Sequence, residues 1–236
     1  MVDREKRTFS MALMQKVLVF LIITTLVIIF AVFVLLRAHQ LGWTVGGIYV
    51  GIVATAFTFN LVCLGKWNPE LIERRFSTGK GTKTWDRVWL VLFLIAMTII
   101  FVVVNIEAKD GVSSAPGAAW LLGYAIFVPG WTLLTWSMVV NPFFEKTVRI
   151  QTEHGHRAID TGPYAYVRHP GYVGFSACII STPLLLSSNL AFIPAFITVL
   201  LFVIRTALED RMLHNELSGY SDYANRVRFR LIPGVW

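Results

Sequence analysis

Hydrophobic positions in this chain fall in long unbroken blocks, not in the alternation of a half-buried strand or the stripe of a surface helix. Residues 17–36 form the first block, twenty positions without a charge, glycine or proline. A helix of that length reaches across the ~30 Å hydrocarbon core of a bilayer. Similar blocks occupy residues 43–64, 88–105 and 118–140, and two shorter ones occupy 172–186 and 190–204. The pattern predicts an all-α integral membrane protein of about six transmembrane helices. The last two blocks are separated by Ser187, Ser188 and Asn189, so they are expected as a short helical hairpin, followed by a cytoplasmic C-terminal helix and tail. The charged MVDREKR ahead of the first block also fits a signal peptide, but the apolar run is too long for an h-region and no small-residue cleavage site follows it cleanly. A retained, multi-pass helix is expected instead. Between the second and third blocks, NPELIERR predicts a short interfacial helix ahead of the flexible STGKGTKT.

Composition agrees with the blocks. The chain is 56% hydrophobic and 15% charged, with a mean hydropathy of +0.63, whereas a soluble domain carries about a quarter charged residues. The net charge of +7 raises the question of nucleic acid. Its placement answers it. With the N-terminus in the cytoplasm, every Lys and Arg except Arg37 and Lys109 falls on the cytoplasmic side of six spans. That is the positive-inside bias of a multi-pass protein with both termini cytoplasmic, and no nucleic-acid partner is expected. Cys63 and Cys178 lie inside apolar blocks and read as small hydrophobes, not as a disulfide or a metal site.

Polar residues inside the first three blocks are few: Thr24, Thr25, Thr55, Thr58 and Asn60, all of the helix-packing kind. A transporter would place ionisable groups near mid-bilayer, and these blocks have none. Glu107, Lys109 and Asp110 are expected to be solvated in an outside loop. The chain therefore divides into N-terminal membrane helices over residues 1–140 and an information-rich region over 141–236. That region opens with a loop of about thirty residues, a length that is usually functional in a compact protein. Its end, DTGPYAYVRHPGYVG at 160–174, is polar and turn-rich against apolar neighbours. Beyond the hairpin, Arg205 and Glu209 are four residues apart and share a helix face. Taken alone they fit an interfacial salt bridge or a snorkelling arginine. They gain weight as a site because topology returns the 164–172 segment to the same side of the bilayer. His154 and His156 form an H-x-H without a third ligand spaced nearby, so no metal is expected. Tyr220, Tyr223 and Trp236 fit interfacial aromatic anchors, and His214 a solvated helix position.

The run GPYAYVRHPGYVG, an apolar hairpin, then RTALED and GYSDYANRVRFRLIP, resembles the isoprenylcysteine carboxyl methyltransferase family, which is related to the membrane phospholipid N-methyltransferases. The resemblance covers about residues 141–236. It implies an integral-membrane methyltransferase that uses S-adenosylmethionine without a Rossmann domain, and the chain has no strand–GxGxxG–helix pattern. By position, the resemblance assigns Gln151, His156, Arg157, Ala158 and Ile159 to one cofactor-lining segment. Tyr164, His169, Pro170, Gly171 and Tyr172 fall in a second. Glu209 matches the family's acidic cofactor contact and Arg205 the arginine at the substrate, and these two are the expected catalytic pair. Asp210 stands where the family commonly has a second glutamate, shorter by one methylene.

These expectations suit the chemistry. Aromatic faces such as Tyr164 and Tyr172 stabilise a sulfonium cation, and methyl transfer depends mainly on near-attack positioning in a dry site. The acceptor is expected to be lipophilic and to enter from the bilayer among membrane lipids. An isoprenylcysteine carboxylate, a phospholipid amine and a thiol all fit. Two rivals stand beside this reading. One is an NADPH-dependent sterol-type reductase of related fold, for which Arg157 and Arg168 would supply a phosphate pocket. The other is a non-catalytic membrane scaffold or transporter.

Overall fold

The computed structural model describes residues 44–76, 81–109 and 118–236, and the regular secondary structure within them is all helical, with no strand among the described residues. The expected first span at 17–36, with Thr24 and Thr25, lies outside the described residues, as does Asp110. Helix α1 (Thr44–Trp67) is followed by the short α2 (Pro69–Phe76), α3 (Thr84–Lys109) and α4 (Ala118–Val140). After the long loop come α5 (Pro170–Leu185), α6 (Phe192–Glu216) and α7 (Tyr220–Arg226). Among the described residues, α1, α3, α4 and α6 are long and apolar enough to cross a membrane. Their outward residues, such as Leu92, Ile95, Ile99, Phe196 and Leu200, are exposed and apolar, as a lipid-facing surface must be.

The fourth block has the bounds expected for it, and the other blocks among the described residues run longer at one or both ends. The largest difference concerns the hairpin. Helix α5 has sixteen residues, about 24 Å at 1.5 Å per residue and short of the hydrocarbon core. Helix α6 has twenty-five, because the helix continues through the charged Arg205–Arg211 stretch where the apolar block stops. The hairpin is therefore asymmetric, and its longer arm carries the ionisable groups beyond the apolar block.

Small residues let α4 and α5 approach closely. A Cβ on Gly174 would lie 2.5 Å from the Gly130 carbonyl oxygen and 2.7 Å from the Leu134 nitrogen. Polar side chains tie the other helices across the bundle. Asn60 Nδ2 donates to Thr135 Oγ1 at 3.0 Å and Trp131 Nε1 to the Ala56 carbonyl at 2.8 Å, joining α1 to α4. Thr55 and Thr58 instead bond back to their own helix, to the Gly51 and Ala54 carbonyls. Trp89 Nε1 donates to the Leu201 carbonyl at 2.7 Å, joining α3 to α6. Glu107, expected to be solvated, is buried. It accepts from Ser188 Oγ and from the Leu190 amide at 3.2 Å, locking α3 to the hairpin turn. A carboxylate there satisfies backbone donors that the turn would otherwise leave unpaired.

Helix α2 is the expected NPELIERR element, but its apolar face meets protein. Leu71 is fully buried against Leu64, Leu134 and Met138. Asn68 Nδ2 donates to the Met138 carbonyl at 2.8 Å and Arg74 Nη1 to the Pro142 carbonyl at 3.0 Å. The helix thus braces the point where the long loop leaves α4.

Candidate active site

The long loop folds into a fixed shape because its own side chains close its turns. Asn141 Oδ1 accepts from the Phe143 amide at 2.8 Å, turning the chain as it leaves α4. Arg149 then makes a bidentate pair with Glu145, both contacts at 2.9 Å, and reaches Glu153 as well. Gln151 is almost fully buried, with Nε2 donating to the Phe143 carbonyl at 2.8 Å. One 3₁₀ turn at Thr152–His154 ends in Gly155 in the left-handed region, and a second spans Gly162–Ala165. The loop re-enters the bundle at Pro170, the first residue of α5, where a proline loses no helical hydrogen bond.

Between this loop, the start of α5, the end of α6 and α7 lies an open cavity of about 750 Å³, its mouth included. His156, Arg157, Ala158, Ile159, Tyr164, His169, Gly171, Tyr172 and Glu209 all line it. Residues from two loop segments and from the far arm of the hairpin therefore share one cavity. Gln151, Pro170, Arg205 and Asp210 are not in its wall. Gln151 and Pro170 support the wall from behind, Gln151 through the Phe143 carbonyl and through its own amide, which donates to His156 Nδ1 at 3.3 Å. That bond leaves Nε2 to carry the proton of the neutral His156 ring. Burial pushes the His156 pKa down, with Glu209 pulling weakly the other way.

Tyr172 organises the floor. Its hydroxyl donates to Glu209 Oε2 at 2.5 Å, and its ring lies parallel to His169 with centroids 5.7 Å apart. His169 Nε2 is buried without a hydrogen-bond partner, 3.6 Å from Asp210 Oδ1 and outside bonding range. Tyr164 is buried, its hydroxyl accepting from Asn141 Nδ2 at 3.1 Å. Burial raises its phenol well above the usual range, so it stays neutral.

Arg205 and Glu209 share a face of α6 but do not pair with each other. Arg205 Nη2 lies 3.0 Å from Asp86 Oδ1 and donates to the Lys146 carbonyl at 3.0 Å. Its guanidinium stacks over Trp89 at 4.0 Å, with the Tyr172 ring at 5.4 Å. Asp210, adjacent in sequence to Glu209, is turned about 100° around the helix and points away from the cavity. There it binds Arg168 in bidentate fashion at 2.8 and 3.0 Å, Arg230 at 2.7 Å and the Tyr220 hydroxyl at 2.8 Å. The tail beyond α7 lies against the same wall, where the Arg168 and His169 amides donate to the Phe229 and Arg230 carbonyls, each at 2.9 Å. Tyr220 and Tyr223 are not membrane anchors but buried cavity walls. His214 is held by the Asp210 carbonyl at 2.8 Å.

Several residues in or behind this wall carried no sequence signal. Phe143, Phe144, Glu145 and Arg149 line the cavity, and only the four-residue spacing of Glu145 and Arg149 could have pointed to a pair. Asp86 and Trp89 come from α3, far away in sequence.

Comparison with known proteins agrees with this arrangement. Residues 122–215 match the model of the Isoprenylcysteine carboxyl methyltransferase (ICMT) family. Over 87 residues the chain is 37% identical to the Protein-S-isoprenylcysteine O-methyltransferase of Saccharomyces cerevisiae (strain ATCC 204508 / S288c), a stretch covering 36% of each protein. The match thus spans about a third of that curated relative. The solved structure of a eukaryotic intramembrane Ras methyltransferase, an isoprenylcysteine carboxyl methyltransferase, superposes with a TM-score of 0.62 at 19% identity. That superposition covers 93% of this chain and 86% of the other. The chain has the fold of that integral-membrane protein, and the family resemblance read from its C-terminal motif holds.

Proposed function

We propose that this chain is an integral-membrane methyltransferase that takes its methyl group from S-adenosylmethionine and passes it to a lipophilic acceptor arriving from the bilayer. The observation that carries this is the cavity: two loop segments and Glu209 on α6, separated in sequence by α5 and the hairpin turn, enclose one space at the end of the membrane bundle. The residues present fit the donor. Its sulfonium would find the aromatic rings of Tyr172 and Phe143 and the carboxylate of Glu209 in the same wall. The His169 ring, stacked on Tyr172, lines the same wall. When bound, the donor supplies a methyl group made electrophilic by its sulfonium centre.

The part played by the chain is positioning and the exclusion of water. Tyr172 holds Glu209 in place, Gln151 fixes the His156 tautomer, and the tail closes the wall behind His169. Arg205 lies one helical turn, about 6 Å, nearer the bilayer than Glu209, with the aromatic rings of Trp89, Tyr172 and Phe202 around it. That is where the anionic end of a lipid-anchored acceptor would meet the cavity, and an isoprenylcysteine carboxylate is the acceptor favoured by the names of the similar proteins. Six spans with both termini in the cytoplasm, membrane helices over 1–140 and a catalytic region over 141–236 complete the reading. Charge placement supports that orientation. The reductase alternative is weakened by Arg168, whose donors go to Asp210 and the Val227 and Arg228 carbonyls and leave little for a phosphate.

Calorimetry in nanodiscs tests the proposal directly. The parent should bind S-adenosylmethionine and not NADPH, and Glu209→Ala and His169→Ala should each weaken that binding by about tenfold or more, the scale of a lost hydrogen bond to a charged ligand. Binding of NADPH in place of S-adenosylmethionine by the parent would overturn it.

A further inference from the structure

We infer that Asp86 is a positioning residue, which sets Arg205 at the acceptor end of the site and at the same time clips the cavity-lining loop to α3. This rests on the methyltransferase reading. Asp86 stands in the first turn of α3 and is 1% exposed. Its two oxygens are divided between two tasks. Oδ2 accepts from the Val148 amide at 2.7 Å, and the Val148 carbonyl in turn accepts from the Lys83 amide at 3.2 Å, so the loop is held by both of its backbone groups. Oδ1 lies 3.0 Å from Arg205 Nη2, and neither side chain is more than 6% exposed. Trp89, one turn further along α3, covers the guanidinium face at 4.0 Å. Arg205 also donates to the Lys146 carbonyl at 3.0 Å, two residues before Val148. One direct contact, to the Lys146 carbonyl, and one through Asp86, to the Val148 amide, therefore tie this cation to one short piece of loop, and Glu145, Thr147, Val148 and Arg149 of that piece line the cavity.

A buried ion pair is weak evidence for stability, because desolvation offsets most of its attraction. Its value here is geometric. Arg205 Nε is buried without a hydrogen-bond partner, so the guanidinium is anchored at one edge while another donor is left unused. Asp86 Oδ1 and the Lys146 carbonyl, both on Nη2, fix that orientation.

The isosteric Asp86→Asn separates the two tasks. The amide oxygen can still accept from the Val148 amide, but the charge that holds the guanidinium is gone. In nanodiscs, S-adenosylmethionine affinity should stay within about threefold of the parent, as for loss of a contact remote from the ligand. The kcat/KM for an S-farnesylated N-acetylcysteine should fall by about tenfold or more, since misplacement of a positioning group acts on the transition state. Asp86→Ala should weaken cofactor binding as well, by about tenfold, because the Val148 amide is left unpaired. Added to Arg205→Gln, Asp86→Asn should cost less than about twofold further, since residues acting as one unit are not additive. Parental turnover in Asp86→Asn, or equal loss of cofactor binding in Asp86→Asn and Asp86→Ala, would overturn the positioning role. A parent without S-adenosylmethionine binding would overturn the underlying reading too, and calorimetry of the parent alone distinguishes that case.

Discussion

Tyr172 is the residue on which the parts of the site converge. Its ring stacks on His169 and packs against Phe202, its face lies beneath Arg205, and its hydroxyl fixes Glu209. Tyr172→Phe keeps the ring contacts and removes only the hydroxyl. We expect S-adenosylmethionine to bind about tenfold more weakly, as a hydrogen bond to a charged group contributes about 1.5–3 kcal/mol, with little change in the thermal unfolding midpoint. Unchanged affinity by calorimetry would mean that Glu209 does not depend on this hydroxyl. His169, Tyr172, Arg205 and Glu209 were singled out in the sequence through the ordered motif that carries the family resemblance, and Phe202 was not. Asp210 was misleading for a simple reason: adjacent positions on a helix face different ways, so an acid beside Glu209 need not share its surroundings. Asp86 was not legible at all. An aspartate near the start of a helix ordinarily serves the helix dipole, and nothing in its neighbourhood announces an arginine more than a hundred positions away.

Between elements, the decisive contact is the close approach of α4 and α5, which places the start of α5 and hence His169 to Tyr172. Gly174 permits it. Its missing Cβ would strike backbone of α4 at 2.5 and 2.7 Å, atoms that cannot step aside unless the helices part. Gly171, three residues earlier, differs in kind. A Cβ there would strike the Phe144 ring at 2.3 Å, and a ring on a loop can turn. Gly174→Ala is therefore expected to destabilise the protein by about 1–3 kcal/mol, the usual cost of overpacking, read as a lowered unfolding midpoint in detergent. Gly171→Ala should leave that midpoint nearly unchanged and weaken cofactor binding, because Phe144 lines the cavity. If both variants lower the midpoint equally, the loop ring is as fixed as the helix backbone. The helices themselves were legible because a bilayer imposes a length on them, and block 118–140 shows it best. The end of α6 was not. Hydropathy reports where the apolar solvent stops, whereas α6 continues beyond that point, its charged turns held by the loop and tail that pack on them.

At the scale of the molecule, the end of the bundle that carries the cavity is a single packed layer. The loop, the α6 end, α7 and the tail meet through Asp210, Arg168 and Arg230, and through the buried group of Val148, Met212, Leu213, Leu217, Tyr220 and Tyr223. His156 gives this layer a pH dependence. Burial depresses its pKa below the ordinary value of about 6.5. Above that value the ring is neutral both folded and unfolded, and it contributes no slope. As the pH falls below about 6.5, the unfolded chain takes up a proton that the folded chain refuses, so stability declines until the folded ring titrates as well. One proton limits the slope to about 1.4 kcal/mol per pH unit. His156→Asn retains an acceptor near the Gln151 amide and cannot titrate. The difference in unfolding free energy between parent and variant should therefore be constant from pH 8 to about 6.5 and shift against the parent between about 6.5 and 5. Donor binding should hold over that interval and weaken only at the lower pH where the folded ring itself titrates, because a sulfonium is repelled by a protonated imidazole in the cavity wall. Denaturation midpoints and calorimetry at three pH values measure both effects. A difference that stays flat down to pH 5 would show that the ring is as well solvated in the folded chain as in the unfolded one, and the layer would then be looser around His156 than its contacts with Phe143 and Gln151 require.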